Sequence, residues 1–243
     1  MSMRLEKYLS DCGIGSRSQC KTYIRQGLIK VNEKIVSDGA LQVSDQDKIC
    51  FRDEPLCLIK GLYYMFHKPA GCICALKDET QKTVLDYFDG PLAGKLLIVG
   101  RLDKDTEGLL LLTDDGDFLH HLTSPRRHVA KTYYFKAEGM LVPDAVKRVE
   151  EGLDIGDETL TKPGCLTILT EEKECITGTL TIYEGRFHQV KRMIKALGCQ
   201  VTYLKRLSIG ELTLDESLKP GGFRPLREEE IQNLLSVQEG KKL

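Results

Sequence analysis

Two short apolar runs bracket a charged loop near the middle of the chain. Leu96-Leu97-Ile98-Val99 stops at Gly100, and Leu109-Leu110-Leu111-Leu112 begins directly after Gly108. Each run is too short for a stable helix and is bounded by glycine, so both read as buried strands. Between them lies Arg101-Leu102-Asp103-Lys104-Asp105-Thr106-Glu107. A loop held between buried strands is a rigid mount for a reactive side chain. Here it presents a carboxylate at the lip of a packed sheet. Taken alone, the segment fits a solvated surface turn equally well, and the rest of the chain has to decide.

Around this centre the chain alternates strand-like and helix-like pieces. Strands are expected at 63–66, 132–135, 165–169, 176–183, 201–204 and 211–214. Helices are expected at 83–88, at 118–122, and at 143–149 with Pro143 in the first turn. Two more are expected at 187–197, ended by Gly198, and at 228–235. Strands in runs, with helices at only some crossings, imply an α+β fold: a mixed, mostly antiparallel sheet flanked by helices.

The amino-terminal part reads as a separate unit. Leu5, Tyr8 and Leu9 form one face of a short helix, and Ser16-Arg17-Ser18-Gln19 has capping-box form before a second helix closed by Gly27. Arg17, Lys21 and Arg25 recur at four-residue spacing, so three cations share one stripe. Residues 28–32 and 35–36 then read as a hairpin turning through Asn32-Glu33, and the unit is complete by about Phe51. Arg52-Asp53-Glu54-Pro55 reads as a linker or as the first edge of the larger domain. The expected organisation is a module over 1–58, a larger domain over 62–236 and a tail over 237–243.

Composition excludes several classes of function. No apolar run approaches the roughly 20 residues of a membrane span. The polar start, Met1-Ser2-Met3-Arg4, lacks a signal-peptide core, so a cytoplasmic protein is expected. The nine cysteines contain no Cys-x-x-Cys, and no zinc pattern exists among the histidines. Asp114-Asp115-Gly116-Asp117 reads as a turn and helix cap, so no metal is expected. The formal net charge of −1 hides local basic faces, which suffice for binding a polyanion because charge acts within about a Debye length of ~8–10 Å.

The second basic face lies on the expected helix at 187–197. Phe187, Val190, Ile194 and Leu197 give it one apolar face, while His188, Lys191 and Lys195 form a second stripe with Arg192 beside it. Cations stacked without interleaved acids repel one another, so such a stripe usually faces an anion. Arg186 stands beside the helix amino terminus, where a phosphate is favoured.

These pieces carry a resemblance. His67-Lys68-Pro69-x-Gly71, Gly100-Arg101-Leu102-Asp103-x-x-Thr106-x-Gly108-Leu109-Leu110, Lys131-Thr132-Tyr133 and Gly185-Arg186-Phe187-His188-Gln189-Val190-Lys191-Arg192-Met193 occur in that order. They resemble the successive motifs of the RsuA family of pseudouridine synthases, and residues 3–50 resemble its S4-like RNA-binding module. Thr123-Ser124-Pro125-Arg126-Arg127-His128 and Leu160-Thr161-Lys162-Pro163 are similar to the branch that modifies 16S rRNA at uridine-516.

The resemblance implies an isomerase that needs no cofactor, metal or ATP. It makes Asp103 the essential carboxylate, either attacking C1′ or removing the C2′ proton. Lys191 would be its cationic partner, where most relatives outside the branch carry arginine; a lysine makes a single-point contact. Tyr133 would stack on the target base and Leu204 would pack on its other side. Arg4, Arg17, Lys21, Arg25, Arg101, Arg186, His188, Gln189 and Arg192 are the expected RNA contacts. The implied partner is 16S rRNA or an assembling small-subunit particle, with the protein a monomer and no membrane involved. A synthase acting on 23S rRNA and a non-catalytic RNA-binding assembly factor remain the alternatives.

Overall fold

The computed structural model describes residues 2–12, 14–44, 47–56, 61–124, 127–172 and 175–236. The chain divides into two compact units: residues 1–62 with 89–95, and residues 63–88 with 96–243.

The first unit contains β1 (Ser2–Arg4), α1 (Leu5–Asp11), α2 (Arg17–Arg25), β2 (Ile29–Val31), β3 (Lys34–Ile35), β4 (Gln42–Ser44), β5 (Ile49–Phe51) and β6 (Glu54–Leu56). Ser16 caps α2 with the reciprocal Gln19 bonds that the sequence signals. Leu5, Leu9, Cys20, Ile24 and Ile29 form its buried core. The hairpin turns through Asn32 and Glu33 with φ of 51° and 67°, so Glu33 takes the left-handed conformation that glycine usually supplies. The stretch read as a linker is itself a hairpin. Arg52 and Asp53 turn with positive φ, and β6 pairs back on β5, completing the sheet order β3-β2-β5-β6.

The second unit is built on a mixed sheet. Its elements are β7 (Tyr63–Lys68), β8 (Leu97–Val99), β9 (Glu107–Thr113), α3 (Gly116–Thr123), β10 (Lys131–Gly139), α4 (Ala145–Glu151), β11 (Cys165–Glu172) and β12 (Cys175–Ile182). After these come α5 (Gln189–Ala196), β13 (Cys199–Ile209), β14 (Leu212–Thr213), β15 (Phe223–Pro225) and α6 (Glu228–Leu235). The sheet runs β11-β12-β10-β13-β9-β7-β15, with β14 on β13 and β8 on β9. β13 and β9 are parallel; the other pairings in this sheet are antiparallel. Leu109 to Leu112 on β9 have no exposed surface, as a central strand covered on both faces requires.

Four local expectations are corrected. Pro143 precedes α4 rather than opening it, because Asp144 intervenes with φ 60°. The turn at 83–88 is a 3₁₀ helix, Val84–Tyr87. β13 extends well past 201–204, carrying Arg206 into the sheet. α5 begins at Gln189, because His188 is left-handed at φ 48°; Phe187 is therefore 75% exposed, and Met193 takes its place in the buried face. The tail over 237–243 and Pro125-Arg126 of the motif that resembles the 16S branch lie outside the described residues.

Candidate active site

The loop between β8 and β9 is held from below. Lys68, at the end of β7, is completely buried, and its Nζ donates to Pro69 O (3.0 Å), Lys104 O (3.3 Å) and Thr106 O (2.9 Å). Gly71 N donates to Lys104 O at 2.7 Å, and Leu102 N donates to Cys74 Sγ at 3.3 Å. Asp103 O accepts from Thr106 N at 3.1 Å. The next strand also needs a glycine at its start. A Cβ on Gly108 would fall 2.2 Å from Arg206 O, and φ there is +106°.

Mounted this way, Asp103 is about one quarter exposed and meets two groups from the α5 end of the chain. Lys191 Nζ lies 3.3 Å from Oδ2, and His188 Nε2 lies 3.5 Å from Oδ1. Lys191 also reaches Asp105 at 2.6 Å. Burial opposes both charges of this closer pair, yet their mutual hydrogen bond and attraction outweigh it. The Lys191 ammonium is held above its ordinary pKa and the Asp105 carboxyl below its own.

Asp103 opens onto a cavity of about 660 Å³, within the size range of nucleotide and cofactor sites. Tyr133 and Leu204 line it from β10 and β13, both buried. Tyr133 and Arg206 are direct cross-strand partners, and Arg206 Nη1 donates to Tyr133 Oη at 3.5 Å. Arg206 is 2% exposed; its Nε donates to Leu109 O at 2.7 Å and its Nη2 has no partner among the described residues. Lys131 lines the same wall, and burial followed by the Arg206 charge pushes its pKa down to about 8. A screened carboxylate with a cation beside it, an aromatic wall and buried donors is equipped for nucleophilic or general-base work on one nucleotide.

Comparison with known proteins points the same way. A family model described as RNA pseudouridylate synthase matches residues 62–196, and an S4 domain model matches residues 3–49. The ribosomal small subunit pseudouridine synthase A of Haemophilus influenzae is 45% identical over 235 residues, covering 96% of this chain and 100% of that protein. Its counterpart in Escherichia coli strain K12 is 40% identical with the same coverage. A crystal structure of a pseudouridylate synthase superposes with a TM-score of 0.68 at 44% identity, covering 96% of this chain and 99% of that one.

The chain belongs to the RsuA family of pseudouridine synthases.

It is therefore an isomerase carrying an S4 domain. The synthase gathers Asp103, Tyr133, Lys191, Leu204, Arg101, Arg186, His188 and Gln189 around one cavity. Several sit differently from the expectation drawn from sequence. Gln189 is buried, donating from Nε2 to Glu184 and accepting from Arg186 N. Arg186 is engaged by Asp157, Glu184, Thr159 O and Leu160 O. Arg192 is engaged by Asp157, Phe187 O and Ile155 O. Neither guanidinium is a free cation awaiting a phosphate. His188 turns toward Asp103, whereas Arg101 is exposed at the cavity.

In the first unit Arg4, Arg17, Lys21 and Arg25 are all exposed, and Lys21 pairs with Glu6 at 3.4 Å. Arg4 and Arg17 line a shallow groove with Lys7. The residues missed by sequence reasoning are Lys68, Asp105, Lys131 and Arg206. Lys68 and Lys131 stand inside the family motifs, but nothing in a linear pattern says that a lysine is buried. Among the described residues, no helix is long and apolar enough to cross a membrane.

Proposed function

We propose that this synthase converts one uridine of 16S rRNA, uridine-516 in customary numbering, to pseudouridine, with Asp103 as its essential carboxylate. The observation that carries the reading is the single cavity in which Asp103, Lys191, Tyr133 and Leu204 converge. Full-length similarity to proteins named for the small ribosomal subunit supports the choice of RNA.

The target base leaves its stack and enters the cavity between Tyr133 and Leu204. The aromatic face offsets part of the unstacking cost, roughly 1–3 kcal/mol per stacked base. The C1′–N1 bond then breaks, and its electron pair leaves with the uracil. Asp103 forms an ester at C1′ or takes the C2′ proton. The uracil rotates and C5 bonds to C1′; in the first route the C1′–O ester bond breaks and its electron pair returns to the Asp103 carboxylate, and in the second Asp103 gives the proton back to C2′. The C5 proton is released and N1 is protonated, so the net change is an isomerisation. Lys191 Nζ, 3.3 Å from Asp103 Oδ2, sets a positive charge beside that carboxylate at the cavity wall. The exposed cations of the first unit hold flanking RNA, and the protein works as a cytoplasmic monomer.

Asp103→Asn decides the catalytic assignment. The variant should bind rRNA and melt like the parent but form no pseudouridine; turnover at the parental rate refutes the role. Mapping pseudouridines in rRNA from a deletion strain, with and without plasmid rescue, decides the target. Loss at a 23S position instead would replace the substrate, and no loss anywhere would favour the assembly factor.

A further inference from the structure

The loop between β12 and α5 mounts one side chain that the isomerisation chemistry leaves unused. Phe187 is 75% exposed on the rim of the cavity. Its ring stacks on His188, centroids 3.8 Å apart and planes 20° apart, and that imidazole lies 3.5 Å from Asp103. An exposed phenyl ring forgoes burial, and such rings usually sit on loose loops.

This one does not. Arg192 Nε donates to Phe187 O at 2.8 Å, and its guanidinium is anchored to Asp157 and Ile155 O. On the other side, Arg186 binds Thr159 O, Leu160 O, Asp157 and Glu184. Gln189 closes the loop by accepting from Arg186 N at 2.9 Å. His188 adds a left-handed backbone, uncommon outside glycine and held here by its surroundings. Two arginines and a glutamine thus fix the position of one exposed aromatic.

We propose that Phe187 is a stacking wedge, a positioning residue whose ring covers the face of the nucleobase next to the target when the target swings into the cavity. The inference rests on the isomerase reading with Asp103 as its centre. Exposed Arg101 and Lys104 line the same cavity, so the surface meeting Phe187 is expected to be polyanionic rather than apolar protein. A flipped base leaves an exposed face on its neighbour, and a flat apolar ring held rigidly beside the hole fills it without further ordering cost. The ring–imidazole stack extends that filling toward Asp103.

The test uses the full chain with Phe187→Ala and Phe187→Trp on two rRNA fragments. One is intact; the other has abasic residues on both sides of the target. On intact RNA, Phe187→Ala should lose roughly tenfold to a hundredfold in kcat/KM, the value of one stack. Phe187→Trp should recover to within about threefold. On the abasic fragment the parent and Phe187→Ala should converge, since no neighbouring base remains to be covered. Equal rates on intact RNA, or the same deficit on both fragments, overturn the wedge. A parent chain that forms no pseudouridine on intact RNA overturns the isomerase reading instead.

Discussion

Lys68→Met probes how the loop bearing Asp103 is held. The parental ammonium is fully buried and donates to Pro69 O, Lys104 O and Thr106 O, so two of its three partners belong to that loop. Bonds from a charged donor contribute about 1.5–3 kcal/mol each. Against them stands the desolvation of the ammonium, of order several kcal/mol, which pulls the Lys68 pKa below its ordinary value. Methionine keeps the length and removes the charge, leaving the carbonyls without that donor. Only the Thr106 bond is completely buried, so the net loss should be about 2–4 kcal/mol, read as a lower urea midpoint at unchanged slope. The effect on the reaction should be larger in relative terms, because a displacement of ~1 Å at a reacting group costs about a hundredfold. Single-turnover assays on rRNA should show that drop in rate with RNA affinity little changed. The pH dependence has a definite sign. A lysine whose pKa is depressed by folding penalises the fold while protonated, and the penalty fades as pH rises from its folded value toward its unfolded value. The stability gap between parent and variant should therefore widen in alkali. A Lys68→Met chain that retains its rate within about twofold refutes the idea that this lysine positions the loop.

Gly108→Ala should cost at least about 3 kcal/mol by thermal melting, since the new Cβ would meet backbone rather than a flexible side chain. A melt within a degree of the parent would mean that β9 can move away from β13. Lys131, with its pKa near 8, should make parental stability rise between about pH 8 and the unfolded lysine value, and Lys131→Met should flatten that rise in urea titrations. Arg17→Ala/Arg25→Ala should reduce the salt slope of RNA binding by about two, one for each phosphate no longer neutralised. An unchanged slope would remove α2 from the RNA interface.

Some of this was legible in the linear chain. The glycine-bounded apolar runs give β8 and β9 as a strand pair, because buried strands leave a short, uninterrupted apolar signature that survives without tertiary information. The capping box of α2 and the Asp115 cap of α3 are equally local, each closing within three residues. The resemblance that singles out Asp103 rests on motif order, which sequence carries in full.

Other features depended on distance in space. The apolar period of α5 extends to Phe187 in the sequence, since periodicity cannot see the single left-handed residue, His188, that keeps the helix from starting there. Arg186 and Arg192 read as free cations because their carboxylate Asp157 lies 29 and 35 residues away in the chain. Lys68 reads as an ordinary charge at a strand end, and only the arrival of a loop 36 to 38 residues later makes it a buried clamp. Sequence thus determined which residue types were present and which segments would form strands or helices. Folding decided which charges would be neutralised, which would be left buried, and which aromatic would remain in water, because those outcomes are set by neighbours that no local pattern contains.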